Sequence, residues 1–98
     1  MVKQITESEF QSSINSSAVV LVKFGAEWCQ PCKALAPILQ QVAEEGHTVV
    51  ELDADECPDL SIQYKVRGLP TMIVFRNGQP AERALGVLPK DKILEMLK

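Results

Sequence analysis

Apolar residues gather into three short runs, Ala18 to Phe24, Thr48 to Leu52 and Met72 to Phe75, each containing β-branched side chains. Runs of this length without polar alternation predict strands covered on both faces, as in a parallel sheet. Between the first two, Leu35, Ile38, Leu39 and Val42 recur at helical spacing, with Gln40, Gln41, Glu44 and Glu45 on the other side. That periodicity predicts a helix from about Gln30 to Glu45, stopped at Gly46. Pro37 lies inside it and should bend it, because a proline removes one rung of the hydrogen-bond ladder. Two buried strands joined by a helix of this length form a right-handed βαβ unit, so Ala18 to Gly25 and Thr48 to Asp53 are expected to be parallel and adjacent.

Weaker patterns fill in the remainder. Val2 to Ile5 reads as a short edge strand, and Thr6-Glu7-Ser8-Glu9 matches a capping box opening a helix through about Ile14, with Phe10 and Ile14 on one line. Asp53 to Asp59 reads as a turn into a short helix, with Pro58 near its first position and Leu60 and Tyr64 facing inward. Gly68-Leu69-Pro70-Thr71 breaks the chain before the third apolar run. Asn77-Gly78 predicts a type I′ hairpin into a fourth strand near Ala81 to Leu85, ended by Gly86. Pro89 to Lys98 closes as an amphipathic helix through Ile93, Met96 and Leu97. Ninety-eight residues without repeat or linker predict one domain, residues 1–98, of α/β class.

Charge narrows the range of partners. Ten basic against thirteen acidic residues give a net charge of −3, which argues against a nucleic-acid or anionic-membrane surface. The opening residues lack a signal-peptide core and no stretch reaches the roughly 20 apolar residues of a membrane span, so a cytoplasm-like, reducing compartment is expected. Three cysteines are too few, and odd in number, for a stapled secreted scaffold.

Two of those cysteines carry the chemistry. In Trp28-Cys29-Gln30-Pro31-Cys32-Lys33 they lie three apart at a helix start, on one face and within reach of a disulfide. Unpaired N–H groups and the positive end of the helix dipole favour a Cys29 thiolate as attacking sulfur, with Cys32, one turn deeper and less exposed, as resolving sulfur. Pro31 suits an early helical position, where a missing N–H costs little. The competing reading is half of a zinc or iron–sulfur site, but only Cys57 and His47 remain as partners, and neither is in ligand spacing. His47 reads as a solvated helix-end residue, Cys57 as a small buried apolar residue or a regulatory thiol, and the acidic run from Asp53 to Asp59 as a solvated turn without calcium-loop spacing.

Phe24-Gly25-Ala26-Glu27-Trp28-Cys29-Gln30-Pro31-Cys32-Lys33, Val66-Arg67-Gly68-Leu69-Pro70-Thr71, Phe75-Arg76-Asn77-Gly78 and Gly86 together resemble the thioredoxin family over essentially the whole chain. The resemblance implies a thioredoxin fold, a central mixed parallel and antiparallel sheet with helices on both faces. It implies a cis bond before Pro70, facing a redox-active Cys29–Cys32 disulfide. It also implies a mostly apolar substrate groove around Cys29, formed by Trp28, Gln30, Pro31, Leu69, Pro70 and Gly86 with Val87 as a further candidate, and with the Leu69 backbone open to an extended peptide. The expected activity is protein-disulfide reduction without a tightly bound cofactor or metal, the alternatives being a thioredoxin-fold oxidant or isomerase and a non-catalytic binding subunit. The expected partners are disulfide-containing proteins and a thioredoxin reductase, NADPH- or ferredoxin-linked, acting on a monomer.

The chain departs from the family pattern at three places. Gln30 stands where many members have Gly, and Gly25 where many have a second Trp. Lys23 and Glu51 occupy positions where an acid and a lysine are usual, so the charges are exchanged. The same pairing follows from the residues: Lys23 is the only charge in its apolar strand, Glu51 interrupts the neighbouring one, and an isolated buried charge would cost several kcal/mol. The pair is therefore expected beneath Cys32, with Lys23 favouring its thiolate and Glu51 passing its proton through a water. The bland alternative is two side chains snorkelling to solvent.

Overall fold

In the computed structural model, which describes residues 1–98, five strands form one sheet. They are β1 (Lys3–Gln4), β2 (Val19–Gly25), β3 (Thr48–Asp53), β4 (Thr71–Arg76) and β5 (Gln79–Leu85). The helices are α1 (Phe10–Ile14), α2 (Gln30–Glu44), α3 (Pro58–Gln63) and α4 (Lys90–Met96), with single 3-10 turns at Glu7–Glu9 and Ala54–Glu56. The spatial order is β1-β3-β2-β4-β5; β3 is parallel to β1 and β2, while β4 is antiparallel to β2 and β5. The expected βαβ unit is present, with Val20 opposite Thr48, Lys23 opposite Glu51 and Gly25 opposite Asp53.

Strand alternation divides the core between the two faces of this sheet. Val20, Val22, Phe24, Val50, Leu52, Ile73 and Phe75 pack with Phe10 and Ile14 of α1 and Leu60 of α3. Leu21, Val49, Met72 and Val74 pack on the opposite face with Leu35, Leu39 and Val42 of α2 and Ile93 of α4. Lys23 and Gly25 continue the alternation of Val19 and Leu21, so the last two positions of β2 on the α2 side carry a cation and no side chain at all.

The hairpin strand begins earlier than the sequence suggests, at Gln79 instead of Ala81. Asn77 and Gly78 adopt φ of 53° and 81°, the type I′ geometry, so pairing restarts immediately after the two-residue turn. Pro80 is tolerated because β5 is an edge strand and the ladder is irregular at Val74 and Phe75. Both chain ends lie at the end of the sheet away from Gly25. The Arg76 guanidinium, beside Val19 at the start of β2, donates to the Met96 and Lys98 carbonyls, and Met1 lines a cavity with His47 and Thr48 at the start of β3. No helix is long and apolar enough to cross a membrane.

Candidate active site

β2 ends at Gly25, and Ala26 to Trp28 lead into Cys29, the N-cap of α2. Its backbone is extended, with φ −86° and ψ 107°, and its Sγ accepts a hydrogen bond from the Cys32 N–H at 3.2 Å. Sulfur thus takes the place that a hydroxyl or carboxylate oxygen fills at an ordinary cap, satisfying one of the unpaired donors of the first turn. Pro31 occupies that turn, where its missing N–H costs nothing. Cys29 and Cys32 are joined in a disulfide with their Cα atoms 5.3 Å apart.

Burial of the pair differs from the sequence expectation. Cys29 was expected to be the more exposed, yet the two residues are 3% and 2% exposed. In the oxidised state the Cys29 sulfur is drawn back over the helix end by its bond to Cys32 and by the Cys32 N–H. Exposure falls instead on the flanking groups: Trp28 is 67% exposed, and Gln30 and Pro31 are exposed beside it.

The segment before β4 lies at the same end of the sheet, because Phe24 of β2 pairs with Thr71. The Leu69–Pro70 peptide is cis, and the Gly86 N–H donates to the Pro70 carbonyl at 2.9 Å, which holds the Gly86 segment against it. Thr71 closes the preceding turn by donating through its hydroxyl to the Gly68 carbonyl at 2.6 Å. Neither the N–H nor the C=O of Leu69 takes part in a backbone hydrogen bond. Leu69 is half-buried and Pro70 buried, so the groove residues named from the sequence share one end of the molecule but differ in exposure.

Lys23 and Glu51 meet across β2 and β3, Nζ to Oε2 at 3.2 Å, with side chains 9% and 28% exposed. The pair is therefore buried at its cationic end and half-buried at its anionic end. It borders a cavity of about 390 Å³ that is also lined by Gln4, Glu27, Asp53 and Glu56. Gly25 forms part of the same wall. A Cβ placed on Gly25 would lie 2.8 Å from Lys23 Cε, 3.2 Å from Nζ and 3.3 Å from Cys32 Sγ. Nζ and Sγ are thus no farther apart than the sum of the last two distances.

Sequence reasoning missed Asp55 and Leu85. The Trp28 indole donates to Asp55 Oδ2 at 2.7 Å, and Asp53 Oδ1 accepts from the Asp55 N–H at 2.9 Å to shape the turn. The available signal was the parallel register, which sets the turn after β3 beside the turn after β2. Leu85 is 67% exposed, and a Cβ on Gly68 would come within 3.0 Å of its Cδ1, so the absence of a side chain at Gly68 makes room for it. Cys57 is buried in the core on the α3 side. Burial pushes its thiol above the ordinary value, and the charges of Glu7, Glu56 and Asp53 push the same way.

A family model described as Thioredoxin matches residues 1–98. A thioredoxin of Staphylococcus aureus is 41% identical over 97 residues, covering 96% of this chain and 92% of the relative. Among solved structures, a mutant thioredoxin from Halobacterium salinarum superimposes with a TM-score of 0.93 at 31% identity, covering 98% of this chain and 87% of that one. A chloroplastic thioredoxin z gives 0.88 at 40% identity, covering 98% and 90%. With a disulfide closed across the first turn of α2 and relatives matched from end to end, the chain belongs to the thioredoxin family and is a protein-disulfide oxidoreductase working by dithiol–disulfide exchange at Cys29 and Cys32.

Proposed function

We propose that this chain is a general reductase of protein disulfides in a cytoplasmic compartment, reset by a thioredoxin reductase linked to NADPH or ferredoxin. The observation that carries the direction of attack is the Cys29 Sγ at the α2 N-cap, receiving the Cys32 N–H. That placement favours the anionic sulfur at residue 29. The Cys29 thiolate attacks a substrate disulfide, one substrate sulfur leaves as a thiolate, and a mixed disulfide forms. Cys32, as thiolate, then attacks Cys29 Sγ; the second substrate sulfur leaves with the electron pair, and the chain is left oxidised by two electrons.

Substrate docking is assigned to Trp28, Gln30, Pro31, Leu69, Pro70 and Gly86. The unpaired Leu69 backbone supports addition of an extended substrate segment, with Trp28 offering an apolar wall. Lys23 and Glu51 are assigned to the resolving step: the ammonium stabilises a Cys32 thiolate, and Glu51, at the more exposed end of the pair, relays its proton towards the cavity.

Cys29→Ser should abolish reduction of a model protein disulfide while leaving the fold intact. Retained reduction would overturn Cys29 as the attacking sulfur, and failure of the unaltered chain to reduce that disulfide would instead point to a binding module whose sulfurs matter little. The reduction potential of the Cys29–Cys32 couple tests the direction of electron flow, since a strongly oxidising value would mark an oxidant or isomerase.

A further inference from the structure

Gly25 closes β2 without any backbone need for glycine. It is paired in register with Asp53, and its φ lies outside the left-handed region that Gly46, Gly78 and Gly86 occupy. A strand position normally favours a side chain, because glycine loses more chain entropy on folding and packs nothing. The explanation must lie in space. The point at which a side chain would start is crowded by the end of Lys23 and by Cys32 Sγ.

Residues 23 and 25 share a face of the strand, so the lysine reaches along β2 towards α2 over the bare Gly25 backbone. Any side chain at residue 25 would begin 2.8 Å from Lys23 Cε and within 3.3 Å of both the ammonium and the sulfur, so the lysine would have to shift. We propose that Gly25 is a positioning residue for the resolving step, its missing side chain opening the slot that seats the Lys23 ammonium beside Cys32 Sγ. The inference rests on the reductase reading above and adds a residue to it.

The seat matters because every other titratable group around the cavity is acidic. Glu27, Glu51, Asp53 and Glu56 line it together with Lys23. Carboxylates oppose ionisation of Cys32, whereas an ammonium at short range favours it, so the position of one cation sets the balance. During resolution the Cys32 S–H bond gives up its proton to the Glu51 carboxylate, the Cys32–Cys29 S–S bond forms, and the Cys29–substrate S–S bond breaks, the substrate sulfur leaving as a thiolate with the electron pair. The slot acts on the first of these events.

A double-mutant cycle tests the assignment. In a Cys29→Ser chain, which leaves Cys32 as the one active-site thiol, the Cys32 Cβ resonance is followed against pH with Gly25, with Gly25→Ala, with Lys23→Met and with both changes. Gly25→Ala should raise the Cys32 midpoint by about one pH unit, a tenfold loss of thiolate below the midpoint. Lys23→Met should raise it similarly, and the double change should add nothing to Lys23→Met alone. An unmoved midpoint in Gly25→Ala, or an equal shift with and without Lys23, overturns the proposal. Should Gly25→Ala not fold, the nuclear Overhauser contact between the Lys23 ε-methylene and the Cys32 β-methylene of the unaltered chain decides, and its absence overturns the slot. These readouts do not depend on reductase activity, so they fail separately from the Cys29→Ser assay.

Discussion

Trp28 is the most exposed aromatic side chain at the active end, yet it is tethered, its indole donating to Asp55 at 2.7 Å. A charge-assisted bond of this kind contributes roughly 1.5–3 kcal/mol where it is sheltered and less at an exposed site, so its chief effect here is to fix the ring. Asp55→Ala should lower the fluorescence anisotropy of Trp28 and slow reduction of protein disulfides more than that of small ones; unchanged anisotropy would show that the ring is held by something else. Cys57 stands apart from the active pair as the free cysteine. Its thiol is buried and its ionisation pushed up, so it should resist iodoacetamide at neutral pH in the folded chain and react once the chain is unfolded, as mass spectrometry would read. Because the folded value is raised, the stability that Cys57 contributes is complete below the ordinary thiol value of 9.0 and is lost as the pH rises from there through the raised folded value. Urea titrations of the native chain and Cys57→Ala on both sides of that value check the sign.

At the scale of single elements, the start of the first helical segment offers the reverse case. The Glu9 carboxylate accepts from the Thr6 N–H at 2.9 Å and from the Thr6 hydroxyl at 3.1 Å, and these bonds hold it below the usual carboxylate range. Its contribution is therefore present above the ordinary Glu value and disappears as the pH falls through the lowered folded value. Glu9→Ala should lower the urea midpoint at neutral pH, with the difference closing in acid; a difference that persists in acid would mean the cap acts by other means. Within α2, Leu35 has no exposed surface, and Leu35→Ala should cost about 3 kcal/mol by chemical denaturation. Elements of this kind were legible because each has a local cause: a capping box at Thr6, an apolar line on α2, and a two-residue turn at Asn77-Gly78. The early start of β5 was less legible, since Pro80 argues locally against a strand and only the edge position and the ladder irregularity beside it make the proline acceptable.

For the whole molecule, the parallel adjacency of β2 and β3 followed from two apolar runs and one helical period, the mixed sheet covered on both faces followed from the family resemblance, and the redox motif was visible as spacing. What the sequence concealed are relations between elements. The equal burial of Cys29 and Cys32 depends on a sulfur folding back over a helix end. Asp55 reaches Trp28 only because the parallel strands β2 and β3 end side by side. The Lys23–Glu51 pair was legible as a pairing, because a lone charge in an apolar strand needs a partner. The seat over Gly25 was not, because it joins residues 23, 25 and 32 across a strand and a helix.

The placement of both chain ends has a practical sequel. Lys98 lies against Arg76 and Met1 beside Thr48, at the far end of the strands from the disulfide. A tag, bead or carrier protein attached through either terminus should therefore leave the disulfide-bearing end of the molecule open to substrate, and immobilised chain should turn over substrate at nearly the rate of free chain.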